Sequence, residues 1–280
     1  MERFDWREEL KAYQEDRTSG AMALAFQAAR IIEGWAQTAS ADQVEDFRSE
    51  LEGLLQAILR AHPDMAPPLH VAEAARRAVR EAADPAAARA GLISALQRFR
   101  HQLEAHEKAA ARHAASLLRS ARTILTHSRS GLVARALAFT AEKGRSLQVL
   151  CPVAEPGGEG RRMFEEVAAM GHTAILLPDL VAMHWLPQVD LVLVGADAWD
   201  EEGIVNKIGT LTLAVLARAF QRPFFVVATS EKRWPAGVGP HPARAGRPLP
   251  LAGEEIPWFE FVPRSYLTGL ILEDGVYLSG

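Results

Sequence analysis

The part of the chain that follows residue 122 contains short apolar runs separated by stretches of helical periodicity. The runs are TILTH, LQVLCPV, TAILLP, VDLVLVGA and PFFVVAT, and each has the length of about four to eight residues that is typical of buried strands. Helical patterns follow the first, second and fourth runs: GLVARALAFTAEKG, GEGRRMFEEVAAMG and NKIGTLTLAVLARAF. Strands that alternate with helices favour a mostly parallel sheet covered on both faces. We therefore predict a doubly wound, Rossmann-like α/β domain over residues 120–280.

The first 119 residues show a different pattern, rich in Ala, Glu, Arg and Leu. Apolar residues recur at spacings of three and four in SGAMALAFQAARIIEGWA and VEDFRSELEGLLQAIL, as in amphipathic helices. Breaks are predicted at TASADQ, HPDMAPP and ADPAAA, where Pro85 suits the first turn of a long helix. The predicted architecture is thus an N-terminal helical domain, residues 1–119, followed by the α/β domain.

Composition excludes several functional classes. The chain has 31 basic and 35 acidic residues and a formal charge of −4, which offers no electrostatic attraction for nucleic acid. The only cysteine, Cys151, cannot form an internal disulfide, which fits a reducing compartment. The start MERFDWREELKAYQ lacks an apolar signal core, and no run approaches the roughly 20 residues that span a bilayer. We predict a cytoplasmic protein with no nucleic-acid or membrane partner.

Cofactor and metal motifs are not evident. No GxGxxG fingerprint follows the first apolar run, so a dinucleotide is not indicated. His101, His106 and His113 are not spaced by three or four and would not share one helix face as metal ligands do. We therefore predict no cofactor and no metal.

Polar side chains follow three of the predicted strands. Ligands of open parallel sheets bind at the carboxyl ends of the strands, so these positions are candidates for a site. The first strand is followed by Thr126 to Ser130, the second by residues 155–161 and the fourth by residues 197–207. The candidates from these segments are His127, Ser128, Ser130, Arg161, Asp197, Asn206 and Lys207.

The spacing alone leaves two interpretations open for each of these residues. Asp197 follows a buried strand directly and suits an acid or base, but it also suits a helix cap or a turn. Asn206 and Lys207 precede a helical pattern, which fits either a phosphate site or a capping Asn beside a solvated Lys. His127 fits either a general acid or base or a structural histidine.

The run VDLVLVGADAWDEEGIVNKIGTLTLAVLARAFQRPFFVVATSEK resembles a known family. That family joins the alpha, beta and delta subunits of eukaryotic translation initiation factor 2B to the isomerases of methylthioribose 1-phosphate and ribose 1,5-bisphosphate. Further matches are TILTHSRSGLVARAL, EGRRMFEEVAAMG and WFEFVPRSYLTGLILEDG. They cover the C-terminal half, and the helical half matches through SGAMALAFQAA and HPDMAPPLHVAEA.

The resemblance implies a helical domain followed by a Rossmann-like domain, usually dimeric, and an isomerisation of a phosphorylated aldose to a ketose. Asp197 matches the aspartate that moves the proton in the isomerases, and Ser128 stands at the position of their catalytic cysteine. Gly20 belongs to Ser19-Gly20, which stands where they have Arg-Gly. We predict catalytic roles for Asp197, Ser128 and His127, and substrate-binding roles for Asn206, Lys207, Ser130, Gly20 and Arg161.

Two functional hypotheses follow. The first is an isomerase-like protein that binds a small phosphorylated sugar and uses Asp197. The second is a non-catalytic relative that keeps the fold and acts through protein contacts, because Ser128 replaces the cysteine and a hydroxyl is a far poorer proton donor than a thiol of pKa about 8.5. Under either hypothesis we predict a homodimer or higher homo-oligomer, with Trp258, Phe259 and Phe261 as exposed apolar residues.

Overall fold

The structure is a computed structural model that describes residues 4–16, 19–239, 241–244 and 257–279. The chain divides into two units, residues 1–105 and 106–280. A long helix that begins at Pro85 continues past this division to Leu117. The domain boundary at residues 119 and 120 stays a prediction.

The first unit is helical in its described residues, as the spacing of apolar residues predicts. Helix α5 begins at Pro85 and is capped by Asp84, whose Oδ1 accepts a hydrogen bond from the Ala87 backbone N–H at 2.8 Å. Phe47 and Leu55 on the third helix are fully buried, as expected for an amphipathic face turned to a core. The helices are α1 Trp6–Glu15, α2 Ala21–Thr38, α3 Val44–Ala61, α4 Ala66–Val79 and α5 Pro85–Leu117.

The second unit is built on a seven-stranded, mostly parallel sheet with the strand order β10-β9-β7-β4-β1-β2-β3. Strand β1 pairs in parallel with β2 and β4, and only β10 runs antiparallel to its neighbour. The five apolar runs form β1 to β4 and β7, so the predicted fold class is confirmed. The strands of this sheet are β1 Thr123–Leu125, β2 Gln148–Pro152, β3 Thr173–Leu177, β4 Leu191–Val194, β7 Phe224–Val227, β9 Gly269–Leu272 and β10 Gly275–Leu278.

Helices cover both faces of this sheet. Successive residues of a strand point to opposite faces, so Val192 and Leu193 of β4 belong to two different apolar clusters. One cluster includes α6 Gly131–Glu142, α7 Gly160–Ala169 and the end of α5, and the other includes α8 Asp179–Trp185 and α9 Thr210–Ala219. Within the described ranges, no helix has the length and apolar character that a membrane crossing requires.

A second, three-stranded antiparallel sheet was not predicted. It consists of β5 Ala198–Trp199, β6 Gly203–Lys207 and β8 Phe259–Pro263. The Oδ1 atom of Asp200 accepts hydrogen bonds from the backbone N–H groups of Glu202 and Gly203, which closes the turn between β5 and β6.

This sheet corrects the prediction that Asn206 and Lys207 begin a helix. Both residues lie in β6, and α9 begins only at Thr210. Gly209, between β6 and α9, has a φ of 99° and turns the chain from strand to helix.

Candidate functional site

Most of the predicted site residues lie at the carboxyl ends of neighbouring strands. Because β1 pairs in parallel with β2 and β4, and β4 with β7, the segments that follow these strands emerge at one edge of the sheet. These segments carry His127, Ser128 and Ser130 after β1, residues 155–161 after β2, Asp197 after β4, and Lys232 after β7.

His127 is a buried histidine, and its two ring nitrogens differ. It is 3% exposed, and its Nε2 lies 2.8 Å from the backbone oxygen of Ile208, which can only accept, so Nε2 carries the proton. Burial lowers the pKa of His127, so the ring is neutral near pH 7. Its Nδ1 is a buried acceptor with no hydrogen-bond partner among the described residues. It therefore suits a ligand hydroxyl better than it suits proton donation.

Ser128 and Ser130 shape the turn between β1 and α6. Ser128 is half-buried and has a φ of 56°, in the left-handed region that non-glycine residues rarely adopt. Ser130 caps α6, its Oγ accepting from the Val133 backbone N–H at 3.4 Å. A Cβ on Gly195 would lie 2.4 Å from the Ser130 Oγ, so glycine at that position lets the turn approach the end of β4.

Asp197 lies where β4 ends and remains partly exposed. Its backbone N–H donates to the Val205 oxygen at 2.8 Å, which holds it at the base of the β5–β6 hairpin. Next to it, the buried Lys232 donates from Nζ to the Ala196 backbone oxygen at 2.5 Å. Burial lowers the pKa of Lys232, and the neighbouring charges of Asp197 and Glu107 oppose that shift. The amine of Lys232 thus lies in the same part of the sheet edge as Asp197.

Lys232 was not predicted as a site residue. It belongs to a single helical turn after β7, and the residue before it, Glu231, is also buried and lies 2.8 Å from Nδ1 of His106. Glu273 holds the same turn by accepting from the Ser230 backbone N–H at 3.1 Å. The signal was present in the sequence, because SEK follows the run PFFVVAT just as polar residues follow the other runs.

Asn206 joins β6 to the first turn of α9. Its Nδ2 donates to the Thr210 Oγ1 at 3.0 Å, and that hydroxyl donates to the Lys207 backbone oxygen at 2.5 Å. Asn206 is 7% exposed, so this contact occurs inside the protein. The amide therefore supports the geometry of the segment, and its role in substrate binding stays a prediction.

Glu260 occupies the N-terminus of α9. Its Oε1 accepts from the Leu211 backbone N–H at 2.8 Å, and the backbone N–H groups of Gly209 and Thr210 also donate to its carboxylate. Burial raises the pKa of Glu260, and these three amides oppose the shift. Because a helix N-terminus favours a negative charge, this carboxylate from β8 takes the place that was considered for a phosphate.

Lys207 is buried in a set of contacts within the chain. Its Nζ lies 3.0 Å from Oε1 of Glu159 and contacts the backbone oxygen of Pro156. The Trp258 ring centroid lies 4.0 Å from the same nitrogen, within the range of a cation–π interaction. The structure therefore places Lys207 near the segment that follows β2, with its charge neutralised by Glu159.

Arg161, Gly20 and Cys151 belong to other segments of the chain. Arg161 is exposed near the start of α7. Gly20 precedes α2 in the first unit, and a Cβ there would meet no atom within 4 Å. Cys151 lies inside β2, where burial raises the pKa of its thiol to about 12.

Comparison with known proteins identifies relatives of this chain. A putative methylthioribose-1-phosphate isomerase of Methanothermobacter thermautotrophicus is 31% identical over 211 residues, covering 66% of this chain and 67% of that protein. A ribose 1,5-bisphosphate isomerase of Haloferax volcanii is 28% identical over 225 residues, covering 79% of this chain and 69% of that protein.

The fold is similar to that of a solved structure, and a family model matches most of the chain. The translation initiation factor eIF-2B of Pyrococcus horikoshii OT3 superposes with a TM-score of 0.84 at 23% identity, covering 98% of this chain and 96% of that one. The model of the initiation factor 2 subunit family matches residues 17–236. The resemblance predicted from the sequence motifs is confirmed, and the chain belongs to the initiation factor 2 subunit family.

Proposed function

We propose that the second unit binds a small phosphorylated sugar at the carboxyl edge of its sheet and moves a proton on that sugar through Asp197. The observation that supports this most is the position of the partly exposed Asp197 after β4, where the buried Lys232 donates to the oxygen of the adjacent Ala196. Among relatives of this chain are proteins named as isomerases of methylthioribose 1-phosphate and ribose 1,5-bisphosphate.

The chemistry of an aldose-to-ketose isomerisation suits one positioned carboxylate. A base removes the proton from C2 of the opened sugar and returns it to C1, while a second proton passes from the C2 hydroxyl to the C1 oxygen. Asp197 is proposed to carry the first proton. The unpartnered Nδ1 of His127 is proposed to accept a hydrogen bond from a sugar hydroxyl, since the neutral ring donates only to Ile208.

Titration calorimetry with a panel of pentose phosphates tests the binding step. We expect weak, saturable binding of at least one member and no binding of the corresponding unphosphorylated pentose. Lys207→Met is expected to weaken the binding, because it removes the ammonium that would meet the phosphate. An absence of saturable heat across the whole panel would contradict the proposed function.

A non-catalytic relative is the second candidate, and two observations favour it. Ser128 stands where the isomerases carry a cysteine, and the Lys207 ammonium is already paired with Glu159. Saturable binding of a pentose phosphate without exchange of its C2 proton would support this candidate over the isomerase.

We also propose that the chain forms a homodimer. The aromatic residues that were predicted to be exposed make contacts within the chain. Trp258 is 36% exposed and lies beside Lys207, and the Phe261 ring centroid lies 4.6 Å from the guanidinium carbon of Arg244. More exposed apolar side chains are Leu180 and Leu278, at 81% and 69%. Light scattering at micromolar concentration is expected to give the mass of a dimer, and a monomer would refute the proposal.

A further inference from the structure

All three ammonium donors of Lys207 have partners within the chain. One donates to the carboxylate of Glu159, a second contacts the backbone oxygen of Pro156, and the third side of the group meets the face of Trp258. The Lys207 side chain is 4% exposed, so water does not substitute for these partners. A ligand phosphate can therefore reach this ammonium only by replacing one of them.

Glu159 is the partner best placed to leave. Its side chain is 19% exposed, whereas a backbone oxygen such as that of Pro156 cannot leave without moving the chain. It follows a turn in which Gly157 and Gly158 have φ values of 106° and 73°. A Cβ on Gly157 would lie 2.7 Å from both the Glu159 Oε1 and the Trp258 ring, so glycine at 157 lets these groups come together.

The pair lies beside the proposed site. His127 feels the charges of both Lys207 and Glu159, and its unpartnered Nδ1 is one of the buried acceptors at this edge of the sheet. The second carboxylate oxygen of Glu159, Oε2, is likewise buried and has no hydrogen-bond partner among the residues described. Among the described residues, the Glu159 carboxylate thus has one charged partner, Lys207.

We infer that Glu159 is a specificity-determining residue that competes with the phosphate of a ligand for Lys207. A buried ammonium without a counter-charge is costly, so Glu159 supplies the negative charge when no ligand is bound. A phosphate that approaches Lys207 meets repulsion from Glu159 until that side chain turns to solvent. The inference rests on the proposed function for the identity of the ligand. Its consequence is that the native chain binds anions more weakly than it would without the charge of Glu159.

Glu159→Gln, titrated with inorganic phosphate and with ribose 5-phosphate, tests this competition. We expect the variant to bind both probes at least about tenfold more tightly than the native chain, since a charge-assisted contact with Lys207 becomes available. Glu155→Gln is the matched control, because it removes the same charge from the same exposed turn, and its affinity is expected to stay within about twofold of native. Adding Lys207→Met to Glu159→Gln is expected to abolish the gain.

A second variant covers the case in which Glu159→Gln does not fold, as judged by thermal unfolding without phosphate. Glu159→Asp keeps the charge but shortens the side chain by one methylene, which weakens the 3.0 Å contact with Lys207. It is expected to gain affinity for both probes in the same direction and by a smaller factor.

The outcomes separate this inference from the proposed function. Equal affinities for Glu159→Gln and Glu155→Gln, or a gain that survives Lys207→Met, would overturn the competition whatever the native chain binds. Phosphate binding that appears only when Glu159 is replaced would support the competition even if the native chain bound no member of the pentose phosphate panel.

Discussion

Asp197→Asn is expected to lower the rate of C2 proton exchange on a bound pentose phosphate by about 100-fold or more, because a positioned acid or base contributes about 10²–10⁴-fold. The substitution keeps the size of the side chain and removes its ability to carry a proton. Loss of deuterium from C2 of the sugar, followed by NMR in water, measures the rate. Calorimetry on the same variant separates loss of chemistry from loss of binding.

Glu201→Gln is the control for this substitution. Glu201 lies in the turn between β5, which ends at Trp199, and β6, which begins at Gly203. Its side chain is 70% exposed. Its replacement is expected to leave the exchange rate unchanged. Exchange that persists in Asp197→Asn at the native rate would remove Asp197 from the mechanism, and an absence of exchange in the native protein would favour the non-catalytic relative.

Lys232→Met is expected to change how the free energy of unfolding depends on alkaline pH. Burial lowers the pKa of Lys232 in the folded chain below its ordinary value of 10.5. Between these two pKa values the unfolded chain binds a proton that the folded chain lacks, so the stability of the native protein rises with pH. One such proton gives a slope of at most about 1.4 kcal/mol per pH unit. The slope from this group is expected to be absent in Lys232→Met.

Chemical denaturation at a series of alkaline pH values measures this difference. Cys151 and Tyr13 have raised pKa values and lower the stability as pH rises, but they are common to both proteins, so the native-minus-variant difference isolates Lys232. Lys143→Met, at an exposed lysine, is expected to follow the native curve. Identical pH dependence in native protein and Lys232→Met would show that the pKa of Lys232 is not lowered in the folded chain.

The main sheet could be predicted because its central strands are buried on both faces. A strand such as β4 must then be apolar at every position, which produces a continuous run that differs from a helical pattern. The small sheet could not be predicted in the same way. Strand β6 pairs with β8, more than 50 residues along the chain by the register of Gly203 with Pro263, and its Asn206 and Lys207 disrupt any apolar run.

The candidate site was predictable to the extent that it depends on strand ends. Asp197 and His127 were proposed as candidates because they lie where apolar runs end, and the parallel pairing of β1 with β4 brings their segments to one edge. Lys232 follows the same rule after β7, and SEK carried the signal. Contacts between distant residues could not be predicted in this way. Glu159 and Lys207 are 48 residues apart in the chain, and Leu211 and Glu260 are 49 apart.

The sequence by itself determined the family, the α/β class and the strand ends at which polar residues collect, because these depend on local apolar periodicity and on contiguous motifs. Only the tertiary structure decided which charged side chains lie together. It showed that Lys207 is neutralised by Glu159, that Glu260 fills the end of α9, and that Lys232 stands beside Asp197. The physical reason is that ion pairs and helix caps depend on distance in space, and residues far apart in the chain leave no local pattern that reveals the pairing.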